Sequence, residues 1–401
     1  MDLSSMAQRI SIEERVRIEE MRAAGLSVEE TARRPAEGPG SARCEDSRDD
    51  DRKRQMTVAE ALATARRARG ITQEELSHRV SVPQASLSRY ESGLREPDTS
   101  TLGVLARELE LTPDLLQSAG RMQGALVVDA HMRRRRTAKA TVWRRLEAQL
   151  NLYRLHARRC LDHVELETSA RIPSFDPFDV PPEDAARLMR MQWRIPAGPV
   201  RHLVSWMESA GCLIIDEPFG TPRVDGLSQW VDDSPVILLN ADAPTDRRRL
   251  TLAYELGHLC LHHVDVTEDV EGDATTFAAE FLMPAETIRP QLRNLNLGKL
   301  HDLKRYWGVS MQALIERADT LGTLGMRERT NLYKGFSARG WRVQEPLSDQ
   351  LPPEIPSLLT QISQSFLDRG LTRNEIAVLA GIEPTAQDNP FLPRASTLRA
   401  L

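Results

Sequence analysis

The sequence predicts a mainly α-helical protein with a small β-sheet, an α+β fold. Long stretches of the chain have apolar residues that recur about every 3.6 positions, the period of an amphipathic helix. Three short apolar runs separated by turn residues predict the strands of the sheet: Cys212–Asp216, Leu227–Val231 and Val236–Asn240. The stretch that follows them, Leu250–Pro284, carries the most informative chemistry in the chain, so we expect a functional site beside the sheet.

The composition is that of an ordinary soluble protein of two or three domains. The chain has 401 residues, of which 40% are hydrophobic and 28% charged, and a formal net charge of −5. This charge does not by itself indicate nucleic acid as a partner. The four cysteines form no CxxC pair, which favours a reducing compartment, and no apolar run approaches the roughly 18 residues of a membrane span. We therefore expect a cytoplasmic protein that makes no contact with a membrane.

Residues 56–118 have the pattern of a small helical binding module. Gly70 ends its first helix, Thr72 and Glu75 form a capping box at the start of the second, and Pro83 opens the third. Five short helices in this order predict one compact domain. Their predicted bounds are Thr57–Arg69, Gln73–Val80, Gln84–Glu91, Thr101–Leu109 and Pro113–Gln117.

The segment GITQEELSHRVSVPQASLSRYESGLREPDTSTLGVLARELEL resembles a DNA-binding domain of the Cro/repressor (XRE) type. The resemblance implies double-stranded DNA as the partner, with the third helix in the major groove and a homodimer on a pseudo-palindrome. Gln can bond adenine, and Arg guanine, through paired hydrogen bonds. Gln73 is expected to meet a phosphate from its place at a helix N-terminus. The residues expected to face base edges are Gln84, Ala85, Ser88 and Arg89.

The charge of this module leaves a second interpretation open. Residues 56–118 hold seven Arg against nine Asp and Glu, so the module is not basic overall. Strong non-specific attraction to DNA needs an excess of positive charge. Under this alternative, Gln84 and Arg89 are merely solvated surface.

The second candidate site is centred on Tyr254-Glu255-Leu256-Gly257-His258. This pentapeptide has the form of an HExxH zinc signature, in which two histidines at i and i+4 share one helix face and the glutamate acts as general base. Glu255 and His258 are in place, but Tyr254 stands where the first histidine belongs. Because a phenol has an ordinary pKa of about 10, it is a poor zinc ligand at neutral pH. The sequence therefore predicts a protease-like site that lacks one main ligand.

The longer stretch YELGHLCLH, followed by EGDATTFAAEFLMP, resembles the ImmA/IrrE family of zinc metallopeptidases. The resemblance implies that His258 and Glu271 are metal ligands and that Glu255 is the catalytic base. The first ligand position of the family falls on Tyr254. With the ligand set incomplete, we expect Zn²⁺ to be weakly bound or absent.

Two further side chains could complete or replace these ligands. Asp273 is a second candidate acid, but residues i and i+2 of a helix face different ways, so only one of Asp273 and Glu271 could meet a metal. His262 follows His258 by four residues, and it is either a packing residue or half of a two-histidine metal site.

The rest of the chain sets the predicted domain boundaries. The N-terminal segment is rich in Pro, Gly, Ser and charge, and translation could start at either Met1 or Met56. The basic run Arg133–Arg136 precedes a long amphipathic helix, Thr141–Leu166, and is either solvated or in contact with DNA phosphates. The predicted segments are a disordered or over-extended start (1–55), the DNA-binding module (56–118), a basic helical linker (119–172), the metallopeptidase-like domain (173–340), and a helical cap with a tail disordered from about residue 385 (341–401).

Three functions are compatible with these motifs. The first is a sequence-specific transcriptional regulator whose metallopeptidase-like domain no longer cleaves and instead senses a ligand or a partner. The second is an active zinc metalloendopeptidase of the ImmA/IrrE type that cleaves a repressor protein. The third is a scaffold in which the degenerate helix only supports the sheet. We favour the first because Tyr254 replaces a zinc ligand.

Overall fold

The computed structural model describes most of the chain from residue 57 onward, and all described residues lie in one compact unit, Arg52–Leu401. The described ranges are 57–118, 131–134 (backbone only), 139–231, 234–262, 267–342 and 344–393. The predictions for residues 1–55, and for Arg135 and Arg136 of the basic run, lie outside these ranges. The described elements confirm the predicted α+β fold class.

The described residues before position 119 form five short helices around one apolar core. Leu62, Leu76, Leu87 and Leu105 are fully buried, because each stands on the apolar stripe of its helix. Thr72 caps the second helix through the predicted capping box. The observed bounds are Val58–Ala68 (α1), Gln73–Val80 (α2), Gln84–Glu91 (α3), Thr99–Glu108 (α4) and Pro113–Ser118 (α5).

Four strands among the described residues form one mixed sheet in the order β1-β3-β4-β2. The strands are His131–Arg134 (β1), Leu213–Glu217 (β2), Val224–Val231 (β3) and Ser234–Asn240 (β4). β3 and β4 are antiparallel, and β2 is parallel to β4. β2, β3 and β4 cover the three predicted strands, and residues 232–233 of the hairpin turn lie outside the described ranges.

Strand β1 contains the backbone of the first two residues of the basic run, Arg133 and Arg134. It pairs antiparallel with β3, with His131 opposite Ser228 and Arg133 opposite Gly226. Residues 133–134 were expected in a linker, solvated or in contact with phosphate, but their backbone extends the sheet. A four-residue basic segment has no apolar alternation, so its pattern does not distinguish an edge strand from a loop.

The other described helices surround the sheet and continue to the C-terminal segment. α9 packs against β3 and β4 on one side and against α10 on the other. No helix in the described part of the chain is both long and apolar enough to cross a membrane. The helices are Ala140–Leu161 (α6), Pro182–Gln192 (α7), Leu203–Ser209 (α8), Thr245–Leu261 (α9), Val270–Leu282 (α10), Ala285–Ile288 (α11), Leu297–Trp307 (α12), Met311–Thr320 (α13), Met326–Ala338 (α14), Leu358–Asp368 (α15) and Arg373–Ala380 (α16), with 3₁₀ turns at Arg289–Leu292 and Ser348–Gln350.

Helix α6 contributes to two apolar cores. Ala148 and Leu152 pack in the core of the five N-terminal helices. Leu146 and Leu150 pack in a second core, with residues of the sheet and of the C-terminal helices. The predicted helix is present between the two domains, and it is an integral part of the fold. Its buried positions cover more than one face, as expected of a helix enclosed on two sides.

The C-terminal segment is also part of the fold. Phe391 and Leu392 are buried in the core shared by the sheet and α6, and the ring of Phe391 lies 5.8 Å from that of Tyr153. The predicted disorder from about residue 385 is therefore wrong for residues 385–393, because these apolar side chains have a core to enter. Residues 394–401 lie outside the described ranges.

Contacts with α5 and α6 fasten the C-terminal segment to the N-terminal helices. The Thr112 N–H donates a hydrogen bond of 3.0 Å to the carbonyl of Gly381. Arg159 of α6 donates to the carbonyl of Leu379 at 2.8 Å and to Asp114 of α5 at 2.7 Å. Gly381 has a φ of +78°, and a Cβ built on it would lie 2.7 Å from Leu115 Cδ1, so this close approach requires glycine.

Candidate functional site

Helix α9 holds the residues of the zinc-like signature in the protein interior. The exposed fraction is 3% for Tyr254 and zero for Glu255 and His258. Tyr254, His258 and His262 share one helix face: the first two rings meet edge to face at 4.6 Å, and His258 Nδ1 lies 3.0 Å from His262 Nδ1. A hydrogen bond between two ring nitrogens needs one N–H donor and one acceptor. These two Nδ1 atoms therefore share one proton.

Strand β3 fixes the position of Glu255. The Ser228 hydroxyl donates a hydrogen bond of 2.7 Å to Glu255 Oε2. Gly226, two positions before Ser228, lets α9 approach the sheet. A Cβ at this position would lie 2.6 Å from Thr251 Cγ2 and 3.3 Å from Glu255 Oε1. Any larger residue at position 226 would push α9 away from β3.

The two acidic residues of α10 contact different side chains: Glu271 contacts Tyr254, and Asp273 contacts His262. The Tyr254 hydroxyl donates a hydrogen bond to Glu271 Oε2. Asp273 Oδ2 accepts a hydrogen bond from Thr267 and lies 3.7 Å from His262 Nε2. The two carboxylates diverge as their i, i+2 spacing requires, so Glu271 faces Tyr254 of α9 and Asp273 faces His262, which directly follows α9.

These residues do not fit a zinc site with three protein ligands. Among the residues that the structure describes, no group of three or more His, Cys, Asp or Glu is arranged to hold a metal ion. The donors offered at the predicted positions are one imidazole, one carboxylate and the phenol of Tyr254, whose proton is directed at Glu271. Zinc ligands must be deprotonated, so a metal would have to displace this proton.

Buried ion pairs hold the first turns of α9. Lys304, which has no exposed surface, donates to Asp246 at 2.6 Å and to Glu345 at 2.9 Å. Arg249 forms a salt bridge with Glu354, which is also buried. Each buried charge has a hydrogen-bonded partner, as burial requires. Two of the carboxylates come from the C-terminal segment, which therefore supports the site helix.

The second candidate site is the outer face of α3. Its inner side chains, Leu87 and Tyr90, are buried in the N-terminal core. The residues expected at base edges all lie on the opposite, exposed face. The side chains of this face are Gln84, Ala85, Ser88 and Arg89.

A chain of hydrogen bonds orients the two glutamines of this surface. Gln84 Nε2 donates to Gln73 Oε1 at 3.0 Å, and Gln73 Nε2 donates to Glu91 Oε2 at 2.9 Å. Glu91 in turn accepts two hydrogen bonds from the Arg66 guanidinium, at 2.6 and 2.8 Å. Such a bidentate pair fixes the carboxylate, so the orientation of both glutamines is set before any ligand binds.

Sequence reasoning missed several residues that position the two sites. Arg66 and Glu91 are 25 positions apart, and Ser228 and Glu255 are 27 positions apart. No local spacing rule links residues at such separations, because their contacts depend on how helices and strands pack. Asp273 was considered only as a metal ligand, and its contact with His262 had no sequence signal.

Comparison with known families assigns both domains. Residues 62–116 match the family described as helix-turn-helix, and residues 207–319 match the family described as IrrE N-terminal-like domain. The chain is therefore a fusion of an XRE-type helix-turn-helix domain with an IrrE-like, peptidase-like domain, as both resemblances predicted. The second match contains β2, β3, β4, α9 and α10, whereas β1 lies outside both matches. No curated protein matches the chain.

Proposed function

We propose that this chain is a sequence-specific DNA-binding transcriptional regulator of the cytoplasm. Its IrrE-like domain senses a ligand or a protein partner and does not cleave it. The observation that carries this proposal is the hydrogen bond from Tyr254 to Glu271. It joins the residue that replaces a zinc ligand to the carboxylate that would be another, which favours a stable metal-poor site.

The geometry of α3 supports sequence-specific reading of DNA. An amide nitrogen carries two N–H groups, so Gln84 can hold Gln73 with one of them. The other N–H, together with Gln84 Oε1, matches the N7 and N6 groups of adenine. Arg89, one turn further on, has the donor pair that suits guanine O6 and N7.

The charge of the domain makes these directed contacts more important. With seven Arg against nine Asp and Glu in residues 56–118, attraction to the DNA backbone is weak. One domain of this type covers one half-site, so we infer a homodimer on a pseudo-palindromic operator. The second half-site supplies the affinity that the weak backbone attraction does not.

A zinc metalloendopeptidase is the second candidate function. Glu255, His258 and Glu271 stand on α9 and α10 at the positions that the IrrE-like resemblance assigns to the base and two ligands. In that case Tyr254 or His262 would complete the ligand set, and the substrate would be a repressor protein. The phenol–carboxylate hydrogen bond weighs against this candidate.

Two measurements on the purified full-length chain test the proposal. Selection from a random DNA library should enrich an inverted repeat, and metal analysis should find well below one zinc ion per chain. Failure to enrich any motif would overturn the regulatory half of the proposal. One tightly held zinc ion, together with cleavage of a protein substrate that Glu255→Gln abolishes, would establish the endopeptidase instead.

A further inference from the structure

Arg145 of α6 contacts one segment of each domain. Its Nη2 atom donates a hydrogen bond of 2.9 Å to the carbonyl of Phe219, in the loop between β2 and β3. Its stem lies against the turn between α1 and α2, since a Cβ built on Gly70 would be 3.2 Å from Arg145 Cδ. Gly70 lies within the helix-turn-helix match and Phe219 within the IrrE-like match, whereas Arg145 lies between the two matches. One half-buried side chain therefore touches both domains at once.

On the DNA-binding side, the turn between α1 and α2 is tied to the network that orients the two glutamines. Arg66 donates through Nη1 to the carbonyl of Ile71 in this turn, at 2.7 Å, and through its other nitrogens to Glu91. Glu91 in turn accepts a hydrogen bond from Gln73, the first residue of α2. A shift of the turn therefore moves the arginine that fixes Glu91, and with it the orientation of Gln73 and Gln84.

On the IrrE-like side, the site helix holds the β2–β3 loop, residues 218–223. Arg247, in the first turn of α9, donates a hydrogen bond of 2.6 Å to the carbonyl of Pro222, and Asn240 of β4 donates to the same loop. Apart from Phe219, the side chains of the loop are exposed or only partly buried. Hydrogen bonds from neighbouring elements, more than packing, thus set the position of this loop.

Helix α9 connects the buried carboxylate of the site to this loop. Glu255 and Arg247 belong to the same helix and are separated by about 12 Å along its axis, at 1.5 Å per residue. Between them, Thr251 meets Gly226 of β3, and its hydroxyl donates to the Arg247 carbonyl at 2.9 Å. Because closely packed elements transmit strain, a molecule that shifts α9 at Glu255 also shifts the loop that Arg247 holds.

We propose that Arg145 transmits a displacement of α9 to the DNA-reading surface. The path runs from Arg247 through the β2–β3 loop to Arg145, and then through the turn between α1 and α2 to Gln73 and Gln84. The loop has two positions, and in the displaced one it leaves Arg145, so the turn loses the support of this side chain. Arg145 is a positioning residue that acts through the turn and not by contact with DNA. The proposal rests on the regulatory function above and names the contact through which the IrrE-like domain changes DNA reading.

A double-mutant cycle in operator binding tests this coupling in the full-length chain. Gly226→Ala displaces α9 without any ligand, because the new methyl group would lie 2.6 Å from Thr251 Cγ2. It should weaken binding to the selected operator about fivefold, as fluorescence anisotropy measures. Arg145→Met keeps an unbranched stem but removes the guanidinium. In this background, Gly226→Ala should weaken binding by less than about twofold.

Two matched controls separate coupling from damage to the fold. Gly226→Ala/Thr251→Ser removes the methyl group that clashes and keeps the hydroxyl, so operator affinity should recover. Arg144→Met changes an exposed arginine beside Arg145 on α6, and the full effect of Gly226→Ala should persist there. A merely structural role for Arg145 predicts that the effects of the two substitutions multiply. An equal effect of Gly226→Ala with and without Arg145→Met, or unchanged affinity in a folded Gly226→Ala chain, overturns the inference.

A second cycle decides the matter if Gly226→Ala does not fold. Arg247→Met/Asp225→Asn releases the loop from α9 and removes both members of a salt bridge whose carboxylate is buried, so no unpaired charge remains. It should also weaken operator binding about fivefold, and by less than about twofold beside Arg145→Met. No effect in the unmodified chain, or an equal effect in both backgrounds, overturns the inference.

DNA selection on the unmodified chain separates this inference from the proposed function. An enriched operator together with effects that multiply removes only the coupling through Arg145. If no operator is enriched, the regulatory function itself is wrong.

Discussion

The hydroxyl of Tyr254 donates a hydrogen bond to Glu271, which joins the residue at the predicted first-ligand position to the predicted carboxylate ligand. Tyr254 is 3% exposed, and its ring contacts His258 edge to face. An apolar ring with one polar tip suits this position, because the ring packs in the core and the hydroxyl finds a partner. Both the ring and the hydroxyl of Tyr254 therefore have protein partners in this arrangement.

Replacing the phenol of Tyr254 by an imidazole should convert the site into one that binds zinc. In Tyr254→His, the new imidazole lies four residues before His258 on the same helix face, which restores a two-histidine pair beside Glu271. We expect close to one zinc ion per chain by metal analysis, and peptidase activity that Glu255→Gln removes. Tyr254→Phe is the control, since it removes the hydroxyl without adding a ligand. Equal zinc content in the two variants would show that the helix face is not in register for a metal.

Arg89 should carry sequence preference at the DNA surface. Arg89→Ala removes a paired hydrogen bond to a guanine, so binding to the selected operator should weaken by about 1–3 kcal/mol and preference at one position should relax. Arg95→Ala removes the same charge from an exposed site outside α3 and should leave the preference intact. Titration of operator and mutated operators by fluorescence anisotropy measures both effects. A uniform loss over all sequences would assign Arg89 to phosphate contact.

The stability of the fold should fall in mild acid because of His156. Desolvation of this fully buried imidazole lowers its pKa from 6.5 to about 4, although the hydrogen bond to the Ala380 carbonyl opposes the shift. The unfolded chain then binds the proton more readily, so stability that is full above pH 6.5 is lost as the pH falls toward 4. The expected loss from this residue between pH 7 and pH 5 is about 2 kcal/mol.

Denaturant unfolding at these two pH values measures this contribution. His156→Gln keeps a donor for the Ala380 carbonyl but cannot be protonated, so its stability should fall by about 2 kcal/mol less over the same interval. His163→Gln changes an exposed histidine and serves as the control. The same acid-induced loss in both variants would exclude His156 as its source.

Gly381 should be essential for the contact between the C-terminal segment and α5. In Gly381→Ala, the left-handed backbone is strained and the new methyl meets Leu115, which together should cost about 2–4 kcal/mol. Gly370 is the matched control, since its φ is +88° but nothing lies within 4 Å of its Cβ position. Gly370→Ala should therefore lower the free energy of unfolding by less than Gly381→Ala does. The difference between the two is the contribution of the clash with Leu115. Equal thermal shifts in the two variants would show that the segment moves away without loss.

A chain that starts at Met56 should fold and bind DNA as the full-length chain does. The described fold begins at residue 57, and the composition of residues 35–55 offers few apolar groups to bury. Thermal unfolding and operator titration of the shortened chain check this expectation. A large drop in melting temperature would show that the removed segment is part of the fold.

Local sequence signals predicted the N-terminal domain well because each of its helices carries its own boundary marks. The second helix begins with the capping box of Thr72 and Glu75, and its bounds agree with the prediction. The three apolar strands and the site helix were predicted for the same reason. The spacing of apolar residues and the positions of turn residues are local properties, so a single sequence is enough to predict the elements that depend on them.

The remaining features depend on contacts between distant segments. β1 is a strand only because β3 offers an edge, and α6 is buried on two sides only because two cores meet there. The hydrogen bond from Tyr254 to Glu271 joins residues of two helices. The presence of a tyrosine at position 254 of the sequence does not by itself predict this hydrogen bond. The pattern identified which residues stand at the site but not which of them bind each other.

Because α6 belongs to both cores, the boundary between the two functions is not a boundary between two folding units. A fragment that ends after α5 would lack Ala148 and Leu152. The apolar residues of the helix-turn-helix domain that pack against them would then be exposed to solvent. A chimera with another sensor would have to carry α6 along. The helix is common to both cores, so a change that disrupts one core also removes packing contacts from the other.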